Sequence, residues 1–166
     1  MSDEDTLWAA ITAAYARPGI APLCLRLQDQ GGIDVMLLLG LCYAARALGA
    51  PLSPAEVQAL RAASEPWRAA AVRPARALRI ALRGTVAGVA DETREGVRDR
   101  LKAVELAAER VQAGIIAAHL ASRVAQDAAP LAGLRYFLGG APVTEGEIAQ
   151  LLDAFGPGQG DCGGSG

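Results

Sequence analysis

The chain has 166 residues, of which 52% are apolar but only 4% aromatic, and its formal net charge is −2. That length is enough for one domain with a real core. The charge balance excludes a global attraction to nucleic acid or anionic lipid, and the acidic opening Ser2-Asp3-Glu4-Asp5 lacks the basic and apolar regions of a signal peptide.

Residues 3–16 are predicted as a first helix, with Asp3 or Asp5 as its cap and Trp8, Ile11 and Tyr15 along one face. A second helix is expected from Pro18, in its first turn, to about Gln30, stopped by Gly31-Gly32. Next comes the most apolar run of the chain, Val35 to Ala45, uncharged throughout. As a helix it would reach about 16 Å, half a hydrocarbon core, so it is too short to span a membrane. A helix apolar on every side is instead wrapped by other helices. The segment 33–48 is therefore read as the buried centre of a bundle, with Asp34 in its first turn at the positive end of the dipole.

Ser53-Pro54-Ala55-Glu56 is the strongest local signal: an N-cap, a proline at N1 and the glutamate of a capping box. That helix is expected to end near Ser64. Ser64 would then cap the next one, which Pro74 kinks or splits before Arg83-Gly84. Residues 84–91 form a small-residue joint. One long helix is predicted from about 92 to 126, with an apolar seam of Val97, Leu101, Val104, Ala108, Val111, Ile115 and Ala118. A short helix at 131–138 and a second capping box, Thr144 to Glu147, opening a last helix through Phe155, complete the domain. The expected fold is all-α: a single domain, 1–155, of seven or eight helices around 33–48, followed by a disordered Gly-rich tail at 156–166. Cys24 and Cys42 fall inside apolar helices, and with Cys162 they make an odd set without metal-ligand spacing. A reducing cytoplasm is the simple setting.

Leu7-Trp8, Tyr15, Pro18-Gly19, Cys24-Leu25, Leu27-Gln28-Asp29, Asp34-Val35 and Leu37-Leu38-Leu39, with Trp67-Arg68, Pro74 and Arg76 further on, resemble an uncharacterised bacterial family of small helical proteins. The resemblance covers roughly residues 7–125 and is most specific in the first 45. It implies a cytoplasmic bacterial helical protein with no established activity. The family usually carries Asn after the Asp-Val pair; Met36 stands there in this chain, which removes a polar group from any pocket at that position.

Three constellations carry chemistry. Gln28, Asp29 and Asp34 meet around the glycine corner, where carboxylates can hold a cation or polar ligand; helix capping alone also accounts for all three. Lys102, Glu105, Glu109, Gln112 and His119 share a face of the long helix; the two carboxylates at i and i+4 could clamp a metal or work as acid and base, but the set reads chiefly as a solvated flank. The only histidine cannot supply the paired Glu-x-x-His motifs of a di-metal bundle. From Arg61 to Arg83 there are six arginines, the two ends included, and one acid, Glu65, with Arg76, Arg79 and Arg83 on one helix face. These can pair inside the molecule, with the acidic segment 91–99, or meet an acidic protein surface; nucleic acid or a phosphorylated ligand is less favoured, for want of a recognised motif. No nucleophile–base pair or phosphate-cradling loop is present, so no catalytic residue, metal or cofactor is assigned.

Two functions follow. The leading one is a non-enzymatic protein-interaction module, using Arg73, Arg76, Arg79 and Arg83 or the seam of the long helix; an Arg76→Glu/Arg79→Glu variant should then keep its fold. The alternative is a small-molecule or metal binder, and conceivably an enzyme, with a site where Gln28, Asp29 and Asp34 meet Trp67-Arg68 or Glu105 and Glu109. Asp29 or Asp34 in hydrogen-bonding reach of Glu105, Glu109 or Arg68 within a pocket favours the binder.

Overall fold

A computed structural model describes residues 2–124 and 128–156, and every regular element in them is helical. The order is α1 (Asp3–Tyr15), α2 (Ile20–Gly31), α3 (Val35–Arg46), α4 (Pro54–Trp67), a π-helical turn (Arg68–Val72), α5 (Arg73–Ala81), α6 (Asp91–Ser122), α7 (Ala132–Leu138) and α8 (Glu145–Asp153). The expected all-α bundle and its long helix are both present. The tail beyond Gly156 lies outside the described residues, as do 125–127. Gly156 itself is seated, its carbonyl accepting from Arg17 Nη2.

α3 is the centre. Met36, Leu37, Leu38, Leu39, Leu41, Cys42 and Ala44 are all buried, so every side of the helix is covered. Each buried leucine contributes about 2 kcal/mol. α1, α2, α6, α7 and α8 surround it. At Gly40 a Cβ would lie 2.9 Å from Ile116 Cγ2, which is how closely α6 approaches. No helix among the described residues is long and apolar enough to cross a membrane.

The corner leading into α3 follows from its glycines. Gly32 takes φ +62°, its N–H donates to Gln28 O, and the Ile33 N–H donates to Leu27 O, so two terminal carbonyls of α2 are satisfied at once. Asp34 is the N-cap of α3 rather than a first-turn residue. Pro18 falls two residues before α2, whose entry is made by Gly19 at φ +84°. α1 is capped by Ser2, not by Asp3 or Asp5, and its buried face is Leu7, Ile11 and Ala14, with Trp8 and Tyr15 flanking it.

Two expectations fail in instructive ways. α4 does not stop at Ser64; it continues through Pro66 to Trp67. Ser64 is buried and caps nothing. The missing proline N–H is offset by the packing of Val57, Leu60 and Ser64. The π turn then shifts the ladder, with Arg73 N–H donating to Arg68 O, so Pro74 enters where the register has already changed. The face of α6 is also turned relative to the expected seam. Val97, Val104 and Val111 are 39%, 55% and 45% exposed, whereas Glu105, Gln112, Ala113, Ile116 and Ala117 are buried. The polar positions point inward because their partners wait on α3, α4 and α5. α6 ends at Ser122, short of 126, where Arg123 Nη1 donates to Glu56 Oε1 of the first capping box at 2.8 Å.

Candidate functional site

A cleft of about 430 Å³ opens beside the glycine corner. One wall is the end of α2 and the turn into α3, Gln30 to Asp34; the second is a face of α4, carrying Arg61, Ser64, Glu65 and Arg68; the third is the end of α7 with Gly140 to Pro142. Arg61, Ser64 and Glu65 on α4 and Arg68 at the start of the π-helical turn stand at i, i+3, i+4 and i+7 of one continuous helical run, which presents all four together.

Asp34 organises the floor. Its Oδ1 accepts from the Leu37 N–H at 3.2 Å, which caps α3. Its Oδ2 accepts from Gln112 Nε2 at 2.7 Å and pairs with Arg68 Nε at 2.9 Å. Gln112 Nε2 also donates to Ser64 Oγ at 3.0 Å, while Gln112 Oε1, fully buried, has no partner among the described residues. Asp34 caps a helix, and it also sits in the wall of a cleft within reach of Arg68. Glu65 turns aside to Arg73 Nη2 at 2.6 Å, and the hydrogen bond and charge of Arg73 hold its carboxyl below the usual range. Arg61 lies over the Phe137 ring, 5.8 Å from its centroid, and no carboxylate of the described residues is in ion-pair reach of it.

A second polar cluster adjoins the floor along α6. Arg76 reaches Glu105 Oε1 through Nε and Glu109 Oε1 through Nη2, both at 2.7 Å; Arg79 Nε pairs with Glu105 Oε2. Burial pushes the Glu105 carboxyl up, but the hydrogen bonds from Arg79 and Arg76 outweigh it and the net shift is downward. Burial raises Glu109, against the pull of Arg76 and with added repulsion from Glu105 and Asp34. The arginine face thus pairs with Glu105 and Glu109 rather than with the acidic segment 91–99. Those two glutamates and Gln112 are no solvated flank, although Lys102 of the same set is exposed.

Of the residues singled out from the sequence, the cleft brings together Asp34 and Arg68. Glu105 and Glu109 lie in the adjoining ion cluster. Trp67 serves packing: its Nε1 donates to Ala108 O at 2.8 Å. Gln28 and Asp29 stay outside the cleft wall, Asp29 exposed at the end of α2. Arg73 is held by Glu65, and the Arg83 carbonyl accepts from Arg94 Nη1. Met36 is a core side chain and does not line the cleft. Arg61 belongs to the arginine-rich stretch 61–83 but, like Ser64 and Phe137, is not among the site residues expected from the sequence. The spacing along α4 would have found the first two, had Ser64 not been read as a helix boundary.

Cys24 and Cys42 are buried; burial lifts the Cys24 thiol to about 11 and pushes Cys42 up further, so neither supplies a thiolate at neutral pH. Among the described residues no three of His, Cys, Asp and Glu converge where they could hold a metal ion. No curated protein and no solved structure matches the chain. Residues 6–116, from α1 through most of α6 and including two walls of the cleft, match one family, and the chain belongs to it: the family described as protein of unknown function (DUF2390).

Proposed function

We propose that the protein binds a small polar molecule in the cleft between the Gly31-Gly32 corner, α4 and α7, without catalysing a reaction on it. The observation that carries this reading is the Asp34–Arg68 pair, 2.9 Å apart in the wall of a 430 Å³ cleft. Small-molecule sites occupy about 300–1,000 Å³ and place a few polar groups in a mostly preformed hollow. Here the polar groups are preset by Gln112 and Ser64 behind them, so little rotamer freedom remains to be lost on binding. The two buried free thiols support a reducing, cytoplasmic setting.

Native mass spectrometry of the gently purified protein tests this. The wild type should retain a small molecule that Gly140→Phe loses. A Cβ at Gly140 meets open space, so the ring can enter the cleft while the fold stands. A wild type without retained mass that also fails to respond to any small polar probe would remove the proposal.

A protein-interaction role stands as the second reading, carried by α6. Arg76 and Arg79 are engaged internally, which weakens the arginine face as a docking surface, but Val97, Val104 and Val111 remain exposed at seven-residue intervals. A Val104→Glu variant that keeps its fold and loses a co-purifying protein would support it; an unchanged set of partners would count against it.

A further inference from the structure

Building on the small-molecule reading, we infer that the ligand of this cleft is a small anion, a carboxylate or a phosphate, held by Arg61 and Arg68. Four ionisable side chains line the cleft, and their pairing is uneven. Asp34 is saturated by Arg68, Gln112 and the Leu37 N–H. Glu65 is drawn to Arg73. Both acids are therefore spent on groups of the protein.

The cations, although Arg68 is ion-paired with Asp34 and lies near Glu65, keep N–H groups that no hydrogen bond among the described residues occupies. Arg68 uses Nε for Asp34, and its Nη1 lies 3.9 Å from Glu65, too far for a hydrogen bond. Arg61 has no carboxylate in reach among the described residues and rests its guanidinium on Phe137. An aromatic face holds a guanidinium in place and leaves its N–H edge available. Guanidinium N–H groups match carboxylate and phosphate oxygens in a two-pronged geometry. The cleft thus presents unclaimed donors from two arginines on one helix face, with both neighbouring acids already claimed. A cationic ligand would be repelled by the two guanidinium groups, and a neutral one would gain less from their donors than an anion does.

The test is a titration followed by two-dimensional ¹H–¹⁵N NMR at constant ionic strength, with sodium acetate, inorganic phosphate and neutral acetamide as probes. Acetate, phosphate or both should shift the amides of Gly32, Arg61 and Gly140, and acetamide should not. The arm that responds assigns the anion as carboxylate or phosphate. Arg61→Gln should weaken that binding by about tenfold or more. Arg135→Gln, outside the cleft and paired with Glu145, should leave it unchanged. Acetamide acting as well as the anions, or Arg61→Gln binding like wild type, overturns the anion inference. If the wild type still retains a mass that Gly140→Phe loses, the cleft remains a binding site and only its ligand class is wrong. No retained mass and no probe response overturns both.

Discussion

Gln112 Nε2 donates to Asp34 Oδ2 at 2.7 Å, joining positions 78 apart in the chain. The same nitrogen reaches Ser64 Oγ, so one amide ties α6 to α3 and α4 at the point where the cleft has its floor. The cap of the central helix and the wall of the candidate site are thus a single structure, and damage to either is felt in the other.

Replacing Gln112 should show this. Gln112→Leu removes both donations but leaves Asp34 its Leu37 N–H and Arg68, so the loss should be about 1–3 kcal/mol. Gln112→Glu sets a second carboxylate against Asp34 in a buried place and should cost more, about 3–5 kcal/mol. Urea unfolding checks the order: both midpoints fall, the glutamate variant further, with the slope unchanged.

Charge reversal at Arg76 and Arg79 should unfold the protein, not spare it. Those side chains neutralise Glu105 and Glu109, and Arg76→Glu/Arg79→Glu would gather four carboxylates between α5 and α6. Breaking a buried pair costs about 3–5 kcal/mol, a large share of a total of about 5–15. Far-ultraviolet circular dichroism should show a lowered melting temperature or loss of helix. A double variant as stable as wild type would mean these pairs carry no weight.

Glu105 and Glu109 should give opposite pH signatures. The Glu105 carboxyl is held below the ordinary 4.5, so its contribution is complete above 4.5 and is lost as pH falls through the folded value. Glu109 is raised above 4.5, so its contribution is complete below 4.5 and is lost as pH rises through its folded value. Urea midpoints between about pH 3 and about pH 8 should show Glu105→Gln flattening the acid limb, and Glu109→Gln flattening the decline above 4.5. Parallel profiles for the two variants would contradict this assignment.

What the sequence could disclose depended on how far away each residue's partner lies. Both capping boxes, Ser53 with Glu56 and Thr144 with Glu147, close within four residues and were readable as written. So was α3, whose burial is a property of its own composition, and so was the glycine stop at 31–32. The inward face of α6 was not. Val97, Val104 and Val111 form a better apolar seam than Glu105, Glu109 and Gln112 do, until arginines 26 to 33 residues away and Asp34 are brought alongside. The cleft suffered similarly. Asp34 and Arg68 can be joined in one candidate site from the sequence, but Arg61 gains its meaning from Phe137 on a helix outside the family match, and Pro66 hides the continuity of α4.

Glycines 133 and 40 should answer alanine differently. At Gly133 an added Cβ would stand 2.1 Å from the Leu52 carbonyl oxygen, a backbone atom that cannot turn away. At Gly40 it would stand 2.9 Å from Ile116 Cγ2, the end of a side chain that can shift by a few tenths of an ångström. Gly133→Ala should therefore destabilise at the upper end of the usual overpacking range of about 1–3 kcal/mol, and Gly40→Ala nearer its lower end. The two also differ in reach. Gly133 seats α7, which carries Phe137 to the cleft, so Gly133→Ala should shift the amide signals of Arg61 and Phe137 even where the protein stays folded. Gly40→Ala, packed against α6 in the core, should leave those signals in place. Equal losses of stability, or a cleft undisturbed by Gly133→Ala, would show that α7 is not held against the Leu52 turn in the way its glycine implies.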